Sequence, residues 1–166
     1  MSSWESSRER NGRVKIVKYT PERRQDFVDL NVWWIEKYFG AVEQADRDEF
    51  DHVEDEIAKG GMVFFAVDEA DGAALATCMA IDRGEGEWEI AKLGSAPDRP
   101  HKGYGKAVFE ACVDWAEQHG AKRIYMLTNS SLSTAIHIYE SHGFQRVFLE
   151  DYGGYARGDY ALEKYV

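Results

Sequence analysis

The segment from Ala91 to Lys106, A-K-L-G-S-A-P-D-R-P-H-K-G-Y-G-K, constrains the fold of this chain more than any other segment. Its first part continues a strand-like stretch at 87–95, and two glycines, Gly103 and Gly105, lie where an apolar helical pattern begins. Glycine lets the backbone approach a ligand closely, and the first turn of a helix offers free N–H groups with partial positive charge. The sequence therefore predicts an anion-binding loop, most often one for phosphate.

Two familiar phosphate loops do not match this segment. A Walker loop needs Gly five residues before Gly105 and Ser or Thr after the following Lys, but these positions hold Pro100 and Ala107. A dinucleotide fingerprint needs a third Gly at position 108, which is Val108. A plain turn with two glycines remains the alternative to an anion-binding loop.

A second motif follows at the right distance: T-N-S-S-L-S-T-A-I-H-I-Y-E-S-H-G-F at 128–144. The two segments resemble, in order, motif A (Gln/Arg-x-x-Gly-x-Gly/Ala) and motif B of the GNAT superfamily of acyl-CoA-dependent N-acetyltransferases. The similarity covers roughly 87–144, with weaker resemblance at 31–39 and near the C-terminus. The chain departs from motif A at Pro100, which stands at the Gln/Arg position and has no N–H to donate.

The resemblance implies that acetyl-CoA is the co-substrate. No spacing of His, Asp and Glu residues in the chain indicates a metal site, so we expect no metal. Motif A implies backbone contacts to the CoA pyrophosphate, the preceding strand implies pairing with the pantetheine arm, and motif B implies a further pantetheine contact. Asn129 has a simpler alternative role as a helix cap. The residues implied for cofactor binding are Leu93, Gly94, Ser95, His101, Lys102, Gly103, Tyr104, Gly105, Lys106, Asn129 and Ala135.

Amine acetylation needs a base for the amine and an acid for the leaving thiolate. A lysine-like amine has a pKa near ~10.4, so about one molecule in 2,500 is neutral at pH 7, a gap of about 4.6 kcal/mol. Tyr139 lies in I-Y-x-x-x-G-F, where the resemblance implies a tyrosine that protonates the CoA thiolate. Its helical stripe with Leu132, Ala135 and Ile136 leaves a core aromatic residue as the alternative.

Glu89 is the candidate general base, acting through water. Strand alternation predicts that it shares a face with Glu87, Ala91 and Leu93, and burial on that strand would raise its pKa toward neutrality. The alternatives are an exposed edge carboxylate or an ion pair with Lys92 or an arginine. Glu87 is the second choice for the base.

The acceptor site gives a weaker signal. An aromatic and acidic helix segment around Trp34 and Tyr38 suits a cationic amine, although helical spacing with Phe27 and Leu30 also fits a core face. Near the C-terminus, the resemblance places Arg157 and Asp159 by the acceptor pocket, with a surface ion pair as the alternative.

Composition limits the class of protein. The chain has 166 residues, 44% hydrophobic residues and a net charge of −10, which fits a globular protein and disfavours nucleic acid as a partner. No apolar run approaches the length of a membrane span, so we expect no membrane partner and a cytoplasmic protein. Cys78 and Cys112 lie in apolar patterns, which favours buried free thiols over a disulfide or a metal site.

The element order predicts an α/β fold: a GNAT-like mixed, mostly antiparallel sheet of six to seven strands flanked by about four helices. A flexible lead at 1–12 precedes one domain at 13–166. The predicted strands are 14–19, 62–67, 73–81, 87–95, 123–127, 144–149 and 159–165, and the predicted helices begin near 21, 44, 104 and 132, with the second reaching 59.

The sequence hypothesis is therefore an N-acetyltransferase that moves acetyl from acetyl-CoA to a primary amine of a small molecule or a protein by direct attack in a ternary complex. The alternative is a non-catalytic acyl-CoA-binding sensor or partner module. A longer acyl chain or a hydroxyl acceptor is a third hypothesis. The resemblance also allows a homodimer as the assembly.

Overall fold

The computed structural model describes residues 14–97 and 103–166. The predicted lead at 1–12 lies outside the described residues, and so does the central part of the motif A loop. A short 3-10 turn at Pro21–Arg23 leads into the first helix. The elements are β1 (Val14–Lys18), α1 (Arg24–Phe39), α2 (Gln44–Asp51), α3 (Val53–Ala58), β2 (Met62–Asp68), β3 (Ala74–Gly84), β4 (Glu87–Ser95), α4 (Tyr104–Gln118), β5 (Arg123–Thr128), α5 (Ser133–Ser141), β6 (Gln145–Val147) and β7 (Tyr160–Tyr165).

The seven strands form one sheet in the order β1-β2-β3-β4-β5-β7-β6. Only the β4–β5 pair is parallel within this sheet, and the other five pairs are antiparallel. The predicted class, a mixed and mostly antiparallel sheet flanked by helices, is confirmed. The described residues form five helices where about four were expected, because the acidic helix predicted over 44–59 ends and restarts at His52 (φ −106°, ψ 13°).

Both faces of the sheet are covered. Alternating side chains of β2 divide between two cores: Phe64 and Ala66 pack in the core under α4, while Val63, Phe65 and Val67 pack in the core under α1, α2 and α3. A strand buried on both faces has no polar positions, which explains why this segment is a continuous apolar run in the sequence. The predicted strand at 144–149 shortens to Gln145–Val147, the edge strand β6.

The parallel pair β4–β5 separates after three residues. Register pairs join Glu87, Trp88 and Glu89 to 123–125, and no further pairs form as β4 continues to Ser95 and β5 to Thr128. The two strands therefore diverge and open the sheet in its middle, while β5 remains paired with β7 along its length.

A β-bulge in β4 lies at this opening. Thr77 of β3 pairs with Gly94 and Met79 with Ala91, so two residues of β4, Lys92 and Leu93, oppose Cys78 alone. Lys92 takes a left-handed backbone conformation with φ 58°. The extra residue reverses the alternation, so that Ala91 packs with the α1 core and Leu93 with the α4 core. The expectation that Leu93 shares a face with Glu89 is therefore wrong.

Candidate active site

The diverging strands enclose a cavity of about 470 Å³, here called the central cavity. Its walls are β4 from Ile90 to Ser95, the end of β5, the first turns of α5 and three aromatic residues of α1. Sequence-predicted site residues come together here from four separate elements. Those that line the central cavity are Trp34, Tyr38, Leu93, Gly94, Ser95, Gly105, Ala135 and Tyr139.

The N-terminus of α4 lies at the wall of the central cavity. Gly103 precedes the helix with φ 101°, a conformation that L side chains rarely adopt, and its carbonyl accepts the N–H of Ala107 at 2.9 Å. A Cβ at Gly105 would lie 3.6 Å from Ser95 Oγ and 3.8 Å from Leu93 Cδ1, which are ordinary contacts. Glycine is therefore required at 103 and optional at 105, which agrees with the Gly-x-Gly/Ala pattern.

Of the predicted cofactor residues that the structure describes, four do not line the central cavity: Gly103, Tyr104, Lys106 and Asn129. Tyr104 and Lys106 are in the first turn of α4, beside Gly103, at the positive end of the helix dipole. His101 and Lys102 lie outside the described residues.

Trp34 lies directly against the backbone of β4. A Cβ at Gly94 would be 2.7 Å from Trp34 Cδ1, so only glycine allows this approach. The indole is fixed by a hydrogen bond from Nε1 to Asn31 Oδ1 (2.9 Å), and buried Asn31 donates in turn to the carbonyl of Phe27 (2.9 Å). Tyr38 is 57% exposed at the rim of the central cavity, so its assignment to a core face is wrong.

The buried face of α1 differs from the predicted stripe. Its buried residues are Phe27, Leu30, Asn31 and Ile35, while Trp34 is half-buried at the margin. This margin faces the opening of the sheet, which leaves Trp34 and Tyr38 in the cavity walls.

Tyr139 belongs to the core and to the cavity wall. Its ring packs on Phe109 with centroids 5.0 Å apart, and it is 6% exposed. Burial raises the pKa of the Tyr139 hydroxyl far above its usual value, with a smaller contribution from the thiols of Cys78 and Cys112. The hydroxyl is therefore protonated at neutral pH, as a general acid requires.

Glu89 is buried and paired. Arg83 donates to Glu89 Oε1 from Nη2 (2.8 Å) and from Nε (3.1 Å), which is the ion pair that the sequence left open as an alternative. Glu89 also lines a smaller cavity of about 60 Å³, here called the side cavity. Glu87, the second choice for the base, is bound by Arg123 Nη1 at 2.6 Å and lines neither cavity.

The side cavity adjoins the central cavity, since Trp34, Ala91 and Lys92 line both. Its other walls come from Phe39 of α1, the residues after β5 and the segment before β7. Glu89 and Arg157 contribute the charged groups beside Lys92. The complete lining is Trp34, Phe39, Glu89, Ala91, Lys92, Leu127, Thr128, Asn129, Leu132, Tyr152, Tyr155, Arg157 and Gly158.

Arg157 and Asp159 do not pair with each other. Arg157 binds buried Asp46 through both carboxylate oxygens, with Nη1 at 2.7 Å and Nη2 at 2.6 Å, and Nη1 also reaches Glu43 Oε2 at 3.3 Å. Asp159 accepts hydrogen bonds from the N–H and hydroxyl of Ser130 and lines neither cavity. The alternative of an Arg157–Asp159 ion pair is therefore wrong.

Asn129 does not cap a helix, because α5 begins four residues later with Leu132 at the N-cap position. Its Oδ1 accepts the N–H of Ser131 (2.8 Å), and its Nδ2 donates to the carbonyl of Arg157 (2.6 Å). Asn129 therefore ties the end of β5 to the segment before β7, in the wall of the side cavity.

Sequence reasoning missed the group that anchors this wall. Asp46 is fully buried and binds both Lys92 and Arg157. Burial alone would raise the pKa of Asp46, but the hydrogen bond from Arg157 and the charge of Lys92 outweigh it and lower the pKa to about 2. Lys92 Nζ also donates to the Tyr155 hydroxyl at 3.0 Å. The only local signal was the capping box formed by Glu43 and Asp46 at the start of α2.

The two cysteines are free and buried, as the apolar patterns predicted. Both lie in the core under α4, and neither lines either cavity. No helix in the part of the chain that the structure describes is long and apolar enough to cross a membrane.

Comparisons with known proteins place the chain in a family. A family model described as "Acetyltransferase (GNAT) family" matches residues 27–144, well over half of the chain. No match is found among curated proteins. The fold is similar to that of a GNAT-family acetyltransferase from Staphylococcus aureus Mu50, with a TM-score of 0.80 and 13% identity, covering 92% of this chain and 98% of that one.

Two similar structures were solved with a bound cofactor. One is the PaiA N-acetyltransferase from Thermoplasma acidophilum in complex with coenzyme A, with a TM-score of 0.71 and 16% identity, covering 92% of this chain and 99% of that one. The other is YncA from Salmonella typhimurium with acetyl-CoA, with a TM-score of 0.72 and 13% identity, covering 92% and 93%. Because the family model extends from α1 through both motifs to the end of motif B, the chain belongs to the acetyltransferase (GNAT) family.

Proposed function

We propose that this protein transfers an acetyl group from acetyl-CoA to a primary amine by direct attack within a ternary complex. The observation that carries this proposal is the central cavity, which lies between the unpaired ends of β4 and β5 and joins the side cavity. The N-terminus of α4, Tyr139 and Glu89 lie around these joined spaces. Two structures of similar fold that contain coenzyme A or acetyl-CoA support this choice of co-substrate.

The described residues fit a CoA thioester. Beyond Glu89, β4 has no partner in β5, so one edge of its backbone is free to pair with an extended amide-bearing chain such as pantetheine. Gly94 and Ser95 line this edge, and the first turn of α4 supplies N–H groups and a positive helix end for phosphate. When bound, the thioester supplies an activated acetyl group.

Two side chains would handle the protons. The nitrogen of the amine forms a bond to the acetyl carbon as the carbon–sulfur bond breaks. Glu89 takes up the proton that the amine loses, directly or through water, while its Oε1 remains held by Arg83. Tyr139 donates its hydroxyl proton to the leaving sulfur and is reprotonated from solvent. No enzyme thioester is needed, and Cys78 and Cys112 line neither cavity.

Thiol release and calorimetry test the proposal together. We expect CoA to bind, to raise the melting temperature and to be released from acetyl-CoA in the presence of a suitable primary amine. Binding without release from any member of a broad amine panel would favour a non-catalytic acyl-CoA-binding module. The absence of both heat and thermal protection at millimolar CoA would refute the proposal.

A further inference from the structure

The size and the lining of the side cavity indicate which chemical group the acceptor has next to its reactive amine. One water molecule needs roughly 10–15 Å³ of cavity volume. The side cavity, with about 60 Å³, therefore accommodates only a group of a few heavy atoms. Its position between Glu89 and the central cavity makes it the place where a part of the acceptor next to the reacting amine would bind. This role of the side cavity rests on the proposed function.

The aromatic rings of the side cavity already hold a cation of the chain itself. The guanidinium carbon of Arg157 lies over the rings of Trp34 (5.7 Å), Phe39 (5.6 Å) and Tyr155 (4.7 Å). Lys92 Nζ lies 4.7 Å from the centroid of the Tyr155 ring. A cationic acceptor side chain entering here would find the cation–π faces in use. The nearby carboxylates of Asp46 and Glu89 are already paired with Lys92, Arg157 and Arg83.

The charged groups are held in place by residues outside the side cavity. Asp46 binds both cations, and its own helix start is fixed by the capping box with Glu43. Glu43 also accepts the backbone N–H of Ala156 (2.7 Å) and of Arg157 (3.3 Å), which ties the segment before β7 to α2. Residues of the chain itself therefore hold this wall in place.

Two cationic side chains of this wall each have an N–H group that makes no hydrogen bond within the described residues. A guanidinium has five N–H groups, and the bonds from Arg157 to Asp46 and Glu43 come from Nη1 and Nη2, not from Nε. An ammonium has three N–H groups, and Lys92 uses two of them, to Asp46 and to the Tyr155 hydroxyl. Both side chains line the side cavity and are mostly buried, so their spare donors favour a ligand oxygen.

We propose that the acceptor carries a carbonyl or carboxylate oxygen next to its reactive amine, as an α-amino acid or a peptide N-terminus does. Arg157 and Lys92 bind this oxygen in the side cavity, and the amine is thereby placed between Glu89 and the central cavity. Polyamines and lysine side chains lack an oxygen at this distance from the amine and leave the two donors unsatisfied. Arg157 and Lys92 are then the residues that determine acceptor specificity.

A matched series of acceptors tests this inference. Alaninamide, L-alanine and the dipeptide Ala-Ala carry the oxygen, whereas ethylamine and spermidine do not. Thiol release gives kcat/KM for each, expressed per neutral amine so that differences in the unprotonated fraction of the amines cancel. We expect at least one oxygen-bearing acceptor to exceed ethylamine by about 10-fold or more, since a site with donors for a substrate group discriminates against the analogue that lacks it.

The variant Arg157→Lys keeps a positive charge beside Asp46 but loses the planar fork. We expect it to lower kcat/KM for the oxygen-bearing acceptor more than kcat/KM for ethylamine, so that the ratio of the two values falls toward one. Arg146→Lys is the matched control, because Arg146 stacks on Phe148 and Tyr160 and lines neither cavity.

The outcomes separate this inference from the proposed function. Thiol release that is equal per neutral amine for all acceptors, or greatest for spermidine, would overturn the inference and leave the acetyltransferase proposal standing. A preference that survives Arg157→Lys unchanged would also overturn it. If CoA binds and no acceptor supports release, both proposals are refuted. The wild-type acceptor series decides the matter even if Arg157→Lys does not fold.

Discussion

Replacing each of the two motif A glycines by alanine gives a test in which the expected effects have opposite signs. Gly103 holds φ 101° and ψ −14°, and forcing an L side chain into such a region costs about 1–3 kcal/mol. Gly105 is inside α4, where a Cβ meets only Ser95 Oγ at 3.6 Å and Leu93 Cδ1 at 3.8 Å. There the change to alanine removes the entropic penalty of a helical glycine, about 0.5–1 kcal/mol.

We therefore expect Gly103→Ala to lower the free energy of unfolding by about 1–3 kcal/mol and Gly105→Ala to leave it unchanged or raise it by up to about 1 kcal/mol. For a chain of this length each 1 kcal/mol corresponds to roughly 2–4 °C in melting temperature. Urea unfolding measures the free energy of unfolding of each variant, and calorimetry with CoA measures its affinity for the cofactor.

Gly103→Ala should also weaken CoA binding, because relieving the strain turns the first N–H groups of α4 away from the ligand. Gly105→Ala should bind CoA as the wild type does. If both variants unfold at the same urea concentration and bind CoA equally, the left-handed residue at 103 does not shape the site, and the reasoning from Gly103 to an anion-binding loop is wrong.

Three further changes probe the chemistry and the buried network. Tyr139→Phe keeps the packing on Phe109, so we expect near-normal melting and CoA affinity with kcat reduced about 10²–10⁴-fold; an undiminished kcat removes the acid role. Glu89→Gln retains an oxygen for Arg83, and turnover that is unchanged across pH 6 to 9 would exclude Glu89 as the base. Asp46 has its pKa lowered from 3.8 to about 2, so its charge contributes about 2 kcal/mol of stability that is fully present above pH 4 and is lost as the pH falls through 2. The stability difference between wild type and Asp46→Asn should narrow by that amount in acid urea titrations, and a constant difference would contradict the buried ion pairs.

Tyr139 is a residue whose surroundings local sequence patterns predict well. The sequence predicts the helix that contains Tyr139, its place in motif B and its stripe with Ala135 and Ile136. In the structure Tyr139 is both a buried core residue and part of the wall of the central cavity. Glu89 shows the limit of local patterns. Its strand was predicted, but the sequence did not specify that Arg83 would be its ion-pair partner.

The sequence by itself determined most of the strands and helices, because these depend on periodicities of two and 3.6 residues. The break in the acidic helix at His52 and the short length of β6 were not predicted. The family was indicated by the resemblance of two short motifs. Only the tertiary structure decided which charges meet. Arg157 binds Asp46 across 111 positions of sequence, and no local pattern specifies such a partner. The bulge at Lys92 reversed the facing of Leu93 through one extra residue, since a shift of one position moves a side chain to the opposite face of a sheet.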